Sequence, residues 1–219
     1  MDVQELIKRL QDIEPTHLAD ADKSIRVMDA GLRPVRFGLK LIGRAFTLHA
    51  REDFFTVMVG LAEAQPGDVL VVDTRGSTRA VLGELFTLEA QRRGLAGIVV
   101  DGPIRDIVTI RGLTIPVYAR SSTPLAGTTQ QLFALQIPVQ CGGVTVNPGD
   151  ILFGDDDGIV VVSADELARL LPTAIEIESR ERTAIARIQN GESLLDMLNF
   201  AEHHANLEAA RPSALKFTL

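Results

Sequence analysis

Three residues, Glu84, Arg105 and Asp106, combine side chains that could act together on an anionic substrate. An arginine presents a planar fork that takes a carboxylate in two parallel hydrogen bonds. The aspartate next to it is a hard oxygen ligand, and magnesium is commonly held by one or two protein carboxylates while keeping several waters. Upstream, GELFTLEAQRRG (83–94) reads as a helix. Its start is open: Ser77 or Thr78 would serve as an N-cap, or the helix begins near Gly83 with Leu85, Leu88 and Arg92 along one side. The second start leaves the N–H groups of Gly83, Glu84, Leu85 and Phe86 unpaired at a helix N-terminus, where anions bind readily. An anion site beside a carboxylate-held divalent ion suits an α-keto acid: guanidinium and amides take the carboxylate, and the ion takes the keto oxygen. The competing reading is a surface Arg–Asp pair after a strand, worth about 0–1 kcal/mol.

The elements that would position these residues show in the hydrophobic pattern. Val3, Leu6, Ile7, Leu10 and Ile13 recur at helical spacing, and Pro15 should break that helix. VLVVD (69–73), GIVVD (97–101), IPVYA (115–119) and GIVVV (158–162) are short β-branched runs bounded by turn residues. Near-continuous apolar runs of this kind suit strands covered on both faces. The helix between the first two ends at Arg93, with Gly94 as its stop, so the middle of the chain is a strand–helix–strand unit. Ser163 and Glu166 have capping-box spacing, Pro172 should break or kink the helix they start, and a longer helix should run from about Thr173 to Asn190. The expectation is a single α/β domain with helical ends, its core spanning about 16–191 and a helical tail 192–219.

Composition and missing motifs narrow the chemistry. The 219 residues are 46% apolar and 23% charged, enough for a buried core. A net charge of −7 argues against a surface that tracks nucleic-acid phosphates. Cys141 is the only cysteine and is expected to be a small packed residue; with no signal peptide and no membrane-length apolar run, a cytoplasmic protein is expected. There is no phosphate-binding glycine motif, no H-E-x-x-H, no Cys/His cluster and no G-x-S-x-G elbow. Asp155–Asp157 is out of register for a calcium loop and reads as a turn. His203 and His204 are weak metal candidates, and His17 and His49 possible acid–base groups without an evident partner. Asp20, Asp73, Arg75 and Asp101 fit capping and turn roles as well as chemical ones.

The chain resembles the RraA-like family. The resemblance runs from about Thr16 to Gly191 through THLADA (16–21), GRAFTL (43–48), GDVLVVDTRGS (67–77), GLAGIVVDGPIRD (94–106), IPVYAR (115–120) and GVTVNPGDILFGDDDGIVVV (143–162). The family includes class II pyruvate aldolases acting on 4-hydroxy-4-methyl-2-oxoglutarate and 4-carboxy-4-hydroxy-2-oxoadipate. Its enzymes share an acidic residue, twenty intervening residues and then Arg–Asp, which here are Glu84, Arg105 and Asp106. Its namesake regulator of ribonuclease E lacks the Asp. The resemblance implies a layered α/β sandwich and a homotrimer or homohexamer with sites between subunits. It also implies a Mg²⁺ or Mn²⁺ ion held by Asp106, and a pyruvyl carboxylate bound by Arg105 and the backbone of 83–86. Glu84 would support a proton relay, and Glu178 or Glu181 would reach a neighbouring subunit's site. The implied reaction is carbon–carbon cleavage beside a 2-keto acid, with oxaloacetate decarboxylation as a second activity. The alternative is a non-catalytic regulator that inhibits a protein such as a ribonuclease.

Overall fold

In the computed structural model, which describes residues 3–218, four parallel strands form the centre of the molecule: β3 (Leu41–His49), β4 (Asp68–Asp73), β5 (Gly97–Ile104) and β6 (Val117–Ser122). Short antiparallel strands extend this sheet. β9 (Ile151–Gly154) pairs with β3, β10 (Ile159–Val162) with β9, and β1 (Arg26–Val27) with β10; β2 (Arg33–Pro34) closes the other edge on β6. β7 (Val139–Cys141) and β8 (Val144–Val146) form a separate hairpin packed on β3 and β4.

The apolar runs behave as strands buried on both faces. All six residues of β4 are buried: Leu70 and Val72 pack with Phe46, Leu48, Ile98 and Val100, while Val69 and Val71 pack on the opposite face with Val99, Tyr118 and Cys141 of the hairpin. Each such side chain contributes about 1.5–3 kcal/mol on burial. On the first face lie α3 (Phe55–Glu63), α4 (Glu84–Arg92) and the single turn α5 (Ile107–Ile110). Further along it, Ile42, Ile151, Phe153, Val160 and Val162 receive α1 (Val3–Arg9), α2 (Pro15–Ala21) and α6 (Ala164–Gln189).

The N-terminal helix does end before Pro15: α1 and a 3-10 turn (Leu10–Asp12) stop short of it, and Glu14 is extended. Pro15 then opens α2, where its missing N–H is not needed. The break expected at Pro172 is not observed. Pro172 lies inside α6, which runs unbroken through 26 residues from the expected capping box of Ser163 and Glu166. An interior proline costs roughly 3 kcal/mol. Leu167, Leu170, Leu171 and Ala174 flank it on both sides and are all buried in one cluster, and burying the three leucines outweighs that cost. The tail after α6 is a 3-10 turn (Leu194–Met197) and α7 (Phe200–Glu208). Among the described residues no helix is long and apolar enough to cross a membrane.

Candidate active site

The carboxyl ends of β4 and β5 meet the N-terminus of α4, the place where open α/β sheets commonly hold ligands. Of the two possible starts for α4, the later one is observed: Gly83 is the N-cap and Glu84 the first helical residue, while Gly94 (φ +75°) follows the helix in the left-handed conformation glycine adopts freely. The first-turn amides therefore point out of the helix end, as an anion site requires.

A bulge in β5 delivers Arg105 and Asp106 to that point. The pairing of β5 with β6 shifts register between Val100 and Pro103, around Asp101. Three contacts hold Asp101: its carbonyl accepts from Thr74 Oγ1 at 2.6 Å, its carboxylate accepts from Gly142 N at 2.8 Å, and Arg120 Nε donates to the same carboxylate. Arg120 also grips Asp29 through two bonds of 2.8 and 2.7 Å, holding that carboxyl down at about 2. Bulges of this kind re-aim the side chains beyond them. Arg105 N then donates to Leu82 O at 3.0 Å, tying the end of β5 to the loop that precedes α4.

Asp106 itself is left-handed (φ 59°, ψ 38°). Aspartate and asparagine tolerate this conformation better than most residues. Its Oδ2 accepts the Glu84 N–H at 3.2 Å and lies 3.4 Å from Arg105 Nε. Gly83 is extended, with φ −149°, and is small for a steric reason: a Cβ there would lie 2.5 Å from Asp106 Oδ2 and 3.1 Å from Arg105 Nε.

Arg105 and Asp106 stand where two clefts join. One is a cavity of about 50 Å³ against Gly83, Leu85 and Phe86, backed by Phe54, Ala80 and Ala126. The other, about 290 Å³, is lined by Ile107, Ser122, Thr123 and Pro124. The structure thus brings Gly83, Leu85, Phe86, Arg105 and Asp106 together. Glu84 adjoins them through its backbone, and its carboxylate makes no hydrogen bond or ion pair among the described residues. Sequence reasoning missed Phe54, Ala80, Ala126 and the 122–124 segment. They come from loops far apart in sequence that carry no chemical signal; Ala80 and Ala126 meet in an isolated bridge.

Asp106 Oδ1 makes no hydrogen bond or ion pair among the described residues, so Asp106, with Glu84 next to it at the helix start, would offer a divalent ion one or two carboxylates. No group of three or more His, Cys, Asp or Glu that could hold a metal occurs among the described residues. One or two carboxylates with waters are what magnesium accepts, whereas a structural zinc site needs four protein ligands.

The other candidates have quieter roles. Within the chain Glu181 pairs with His17 Nε2 at 3.1 Å and Glu178 with Arg182, and neither lines the clefts holding Arg105 and Asp106. The other ring nitrogen of His17, Nδ1, accepts from Glu14 N. His49 Nδ1 is buried 3.2 Å from Asp73 but out of line for a hydrogen bond, and Asp73 accepts from Arg75 N in a turn. Asp20 pairs with Lys23, Cys141 is fully buried, Asp155 and Asp157 form the turn before β10, and His203 contacts Ser213.

The family profile described as RraA-like (Aldolase/RraA) matches residues 15–161. The chain belongs to the RraA-like family. A relative from Halalkalibacterium halodurans, provisionally named a 4-hydroxy-4-methyl-2-oxoglutarate aldolase, is 33% identical over 184 residues, covering 81% of this chain and 88% of that protein. Among solved structures, Streptomyces coelicolor RraAS2, described as an unusual member of the RNase ES inhibitor RraA family, is 34% identical with a TM-score of 0.73, covering 82% of this chain and 95% of that one. The RNA-processing inhibitor RraA from Thermus thermophilis is 32% identical with a TM-score of 0.63, covering 67% and 90%. The RraA-like fold expected from sequence is therefore present, a mixed α/β sheet layered with helices.

Proposed function

We propose that this RraA-like protein is a divalent-metal-dependent lyase that cleaves a carbon–carbon bond beside a 2-keto acid and releases pyruvate, with oxaloacetate decarboxylation as a second activity of the same site. The observation that supports this reading is the convergence of Arg105, Asp106 and the first-turn amides of α4 on one cleft. Arg105 binds the substrate carboxylate through its fork, and the amides of Leu85 and Phe86 share the charge. Asp106, with Glu84 nearby, holds Mg²⁺ or Mn²⁺, which when bound supplies a Lewis acid for negative charge developing at the keto group. Phe54, Ala80 and Ala126 wall off one side of the cleft from water, which strengthens the electrostatic contacts inside. Glu84, whose carboxylate makes no hydrogen bond or ion pair among the described residues, would hold or pass a proton during aldol cleavage. A small-molecule 2-keto acid is the partner this reading requires.

A second reading, a regulator that binds and inhibits a protein such as a ribonuclease, is supported by the likeness to the two inhibitor structures and by exposed apolar side chains near the cleft, among them Phe55, Met58, Leu85, Leu88 and Leu125. Metal removal separates the two. The lyase reading expects pyruvate release from oxaloacetate and from 4-hydroxy-4-methyl-2-oxoglutarate to stop with EDTA and to return with excess Mg²⁺. Silence on both substrates at saturating Mg²⁺, together with tight ribonuclease binding, favours the regulator.

A further inference from the structure

The largest of the clefts described is a groove of about 480 Å³ between β2 and the end of β6, and it is basic. Arg33, Arg36, Arg111 and Arg120 line it, and no carboxylate does. Arg120 is spent, because Asp29 and Asp101 already neutralise it. The other three have no acidic partner among the described residues. Arg36 and Arg111 each donate to a backbone carbonyl, of Leu113 and Val35 respectively, which steadies their guanidinium groups while leaving further N–H donors free. Arg33 makes no side-chain hydrogen bond or ion pair among the described residues, and all three are exposed. Three uncompensated guanidinium groups around one concavity stand out in a chain of net charge −7 and focus a positive potential there.

This groove is not isolated. Ile107 and Ser122 line both it and the cleft that holds Arg105 and Asp106, so the arginines adjoin the cleft of the proposed catalytic groups. Ser121 and Ser122 add hydroxyl donors to the groove. We infer that Arg33, Arg36 and Arg111 form a second anion subsite, which receives a carboxylate on the far arm of a substrate whose keto-acid end is held at Arg105 and Asp106. The inference rests on the lyase reading and extends it: the site measures the substrate from both ends, and these arginines set its preference for diacids over monoacids. Their exposure limits the strength of each contact, since solvent screens surface ion pairs. Their number and fork geometry supply the selectivity.

The test is calorimetric binding to the Mg²⁺-loaded full-length protein, using pyruvate, 2-oxobutyrate, 2-oxoglutarate and glutarate. Wild type is expected to bind 2-oxoglutarate about tenfold or more tighter than 2-oxobutyrate, as charge-assisted hydrogen bonds allow. In Arg33→Gln and Arg111→Gln that advantage should shrink by roughly three- to tenfold each while pyruvate binds as before. Arg33→Gln removes no side-chain hydrogen bond or ion pair among the described residues, and unchanged pyruvate binding with an unchanged melting temperature separates loss of the subsite from a folding defect. Equal affinity for the two keto acids in wild type, or an advantage that survives in both variants, overturns the subsite. Absence of pyruvate binding to wild type contradicts the lyase reading instead. In that case glutarate, which has two acids and no ketone, judges the groove alone: binding that the variants lose supports it, and unchanged or absent glutarate binding overturns it.

Discussion

Gly83→Ala should lower turnover by about 100-fold or more while lowering the melting temperature by only about 2–4 °C. The reason is steric and local. The added methyl would sit 2.5 Å from Asp106 Oδ2 and 3.1 Å from both Cγ and Nε of Arg105. Those are the atoms that the proposed chemistry depends on, and a displacement of about 1 Å at reacting groups can cost 10²-fold. The backbone does not resist the change, because φ of −149° is ordinary extended geometry that alanine adopts freely. Alanine is a poorer N-cap than glycine, at a cost of about 1 kcal/mol, which is small beside the expected loss of turnover. Steady-state kinetics with a thermal melt on the same sample check this. A variant with wild-type turnover would mean that Arg105 and Asp106 need not be where they stand.

Asp106→Asn separates charge from shape, and its expected result is loss of all metal-dependent turnover in a normally folded protein. Asparagine shares aspartate's tolerance of the left-handed region in which residue 106 sits, so no new backbone strain arises. Its amide oxygen still accepts the Glu84 N–H, preserving the contact between β5 and α4. What disappears is the anionic oxygen that would hold the divalent ion. Asp106→Val is the contrasting variant: a β-branched residue at φ 59° is strained, so it should lose stability as well as activity. Oxaloacetate decarboxylation at matched Mg²⁺ concentrations, with a melt of each variant, distinguishes the two effects.

Much of the centre was legible because burial writes itself into composition. The VLVVD and GIVVD runs suited strands with both faces covered, and β4 and β5 are those strands. Gly94 and the Ser163–Glu166 pair marked helix ends by local chemistry, which does not depend on the rest of the fold. Pro172 was misleading because its cost is local while the burial that outweighs it comes from Phe153 and Val162, distant in the chain. The Arg105–Asp106 pair was visible as a type of chemistry, but its partner surface was not. Whether the helix began at Ser77 or Gly83 decides whether there is an anion site at all, and both starts were compatible with the pattern. The basic groove had no local signature, since Arg33 and Arg120 become neighbours through the two-residue pairing of β2 with β6. The left-handed turn at Asp106 and the steric need for glycine at 83 are likewise properties of approach between segments, which no single stretch of sequence contains.

The most direct test of the site is an anomalous difference map from a crystal of the protein soaked with Mn²⁺ and oxalate, a mimic of the pyruvate enolate. The account predicts a manganese peak within bonding distance of the Asp106 carboxylate, with oxalate on that ion and one of its carboxylates against Arg105 and the amides of Leu85 and Phe86. A manganese peak elsewhere, with oxalate absent from this cleft while Arg105 and Asp106 keep their positions, would contradict it.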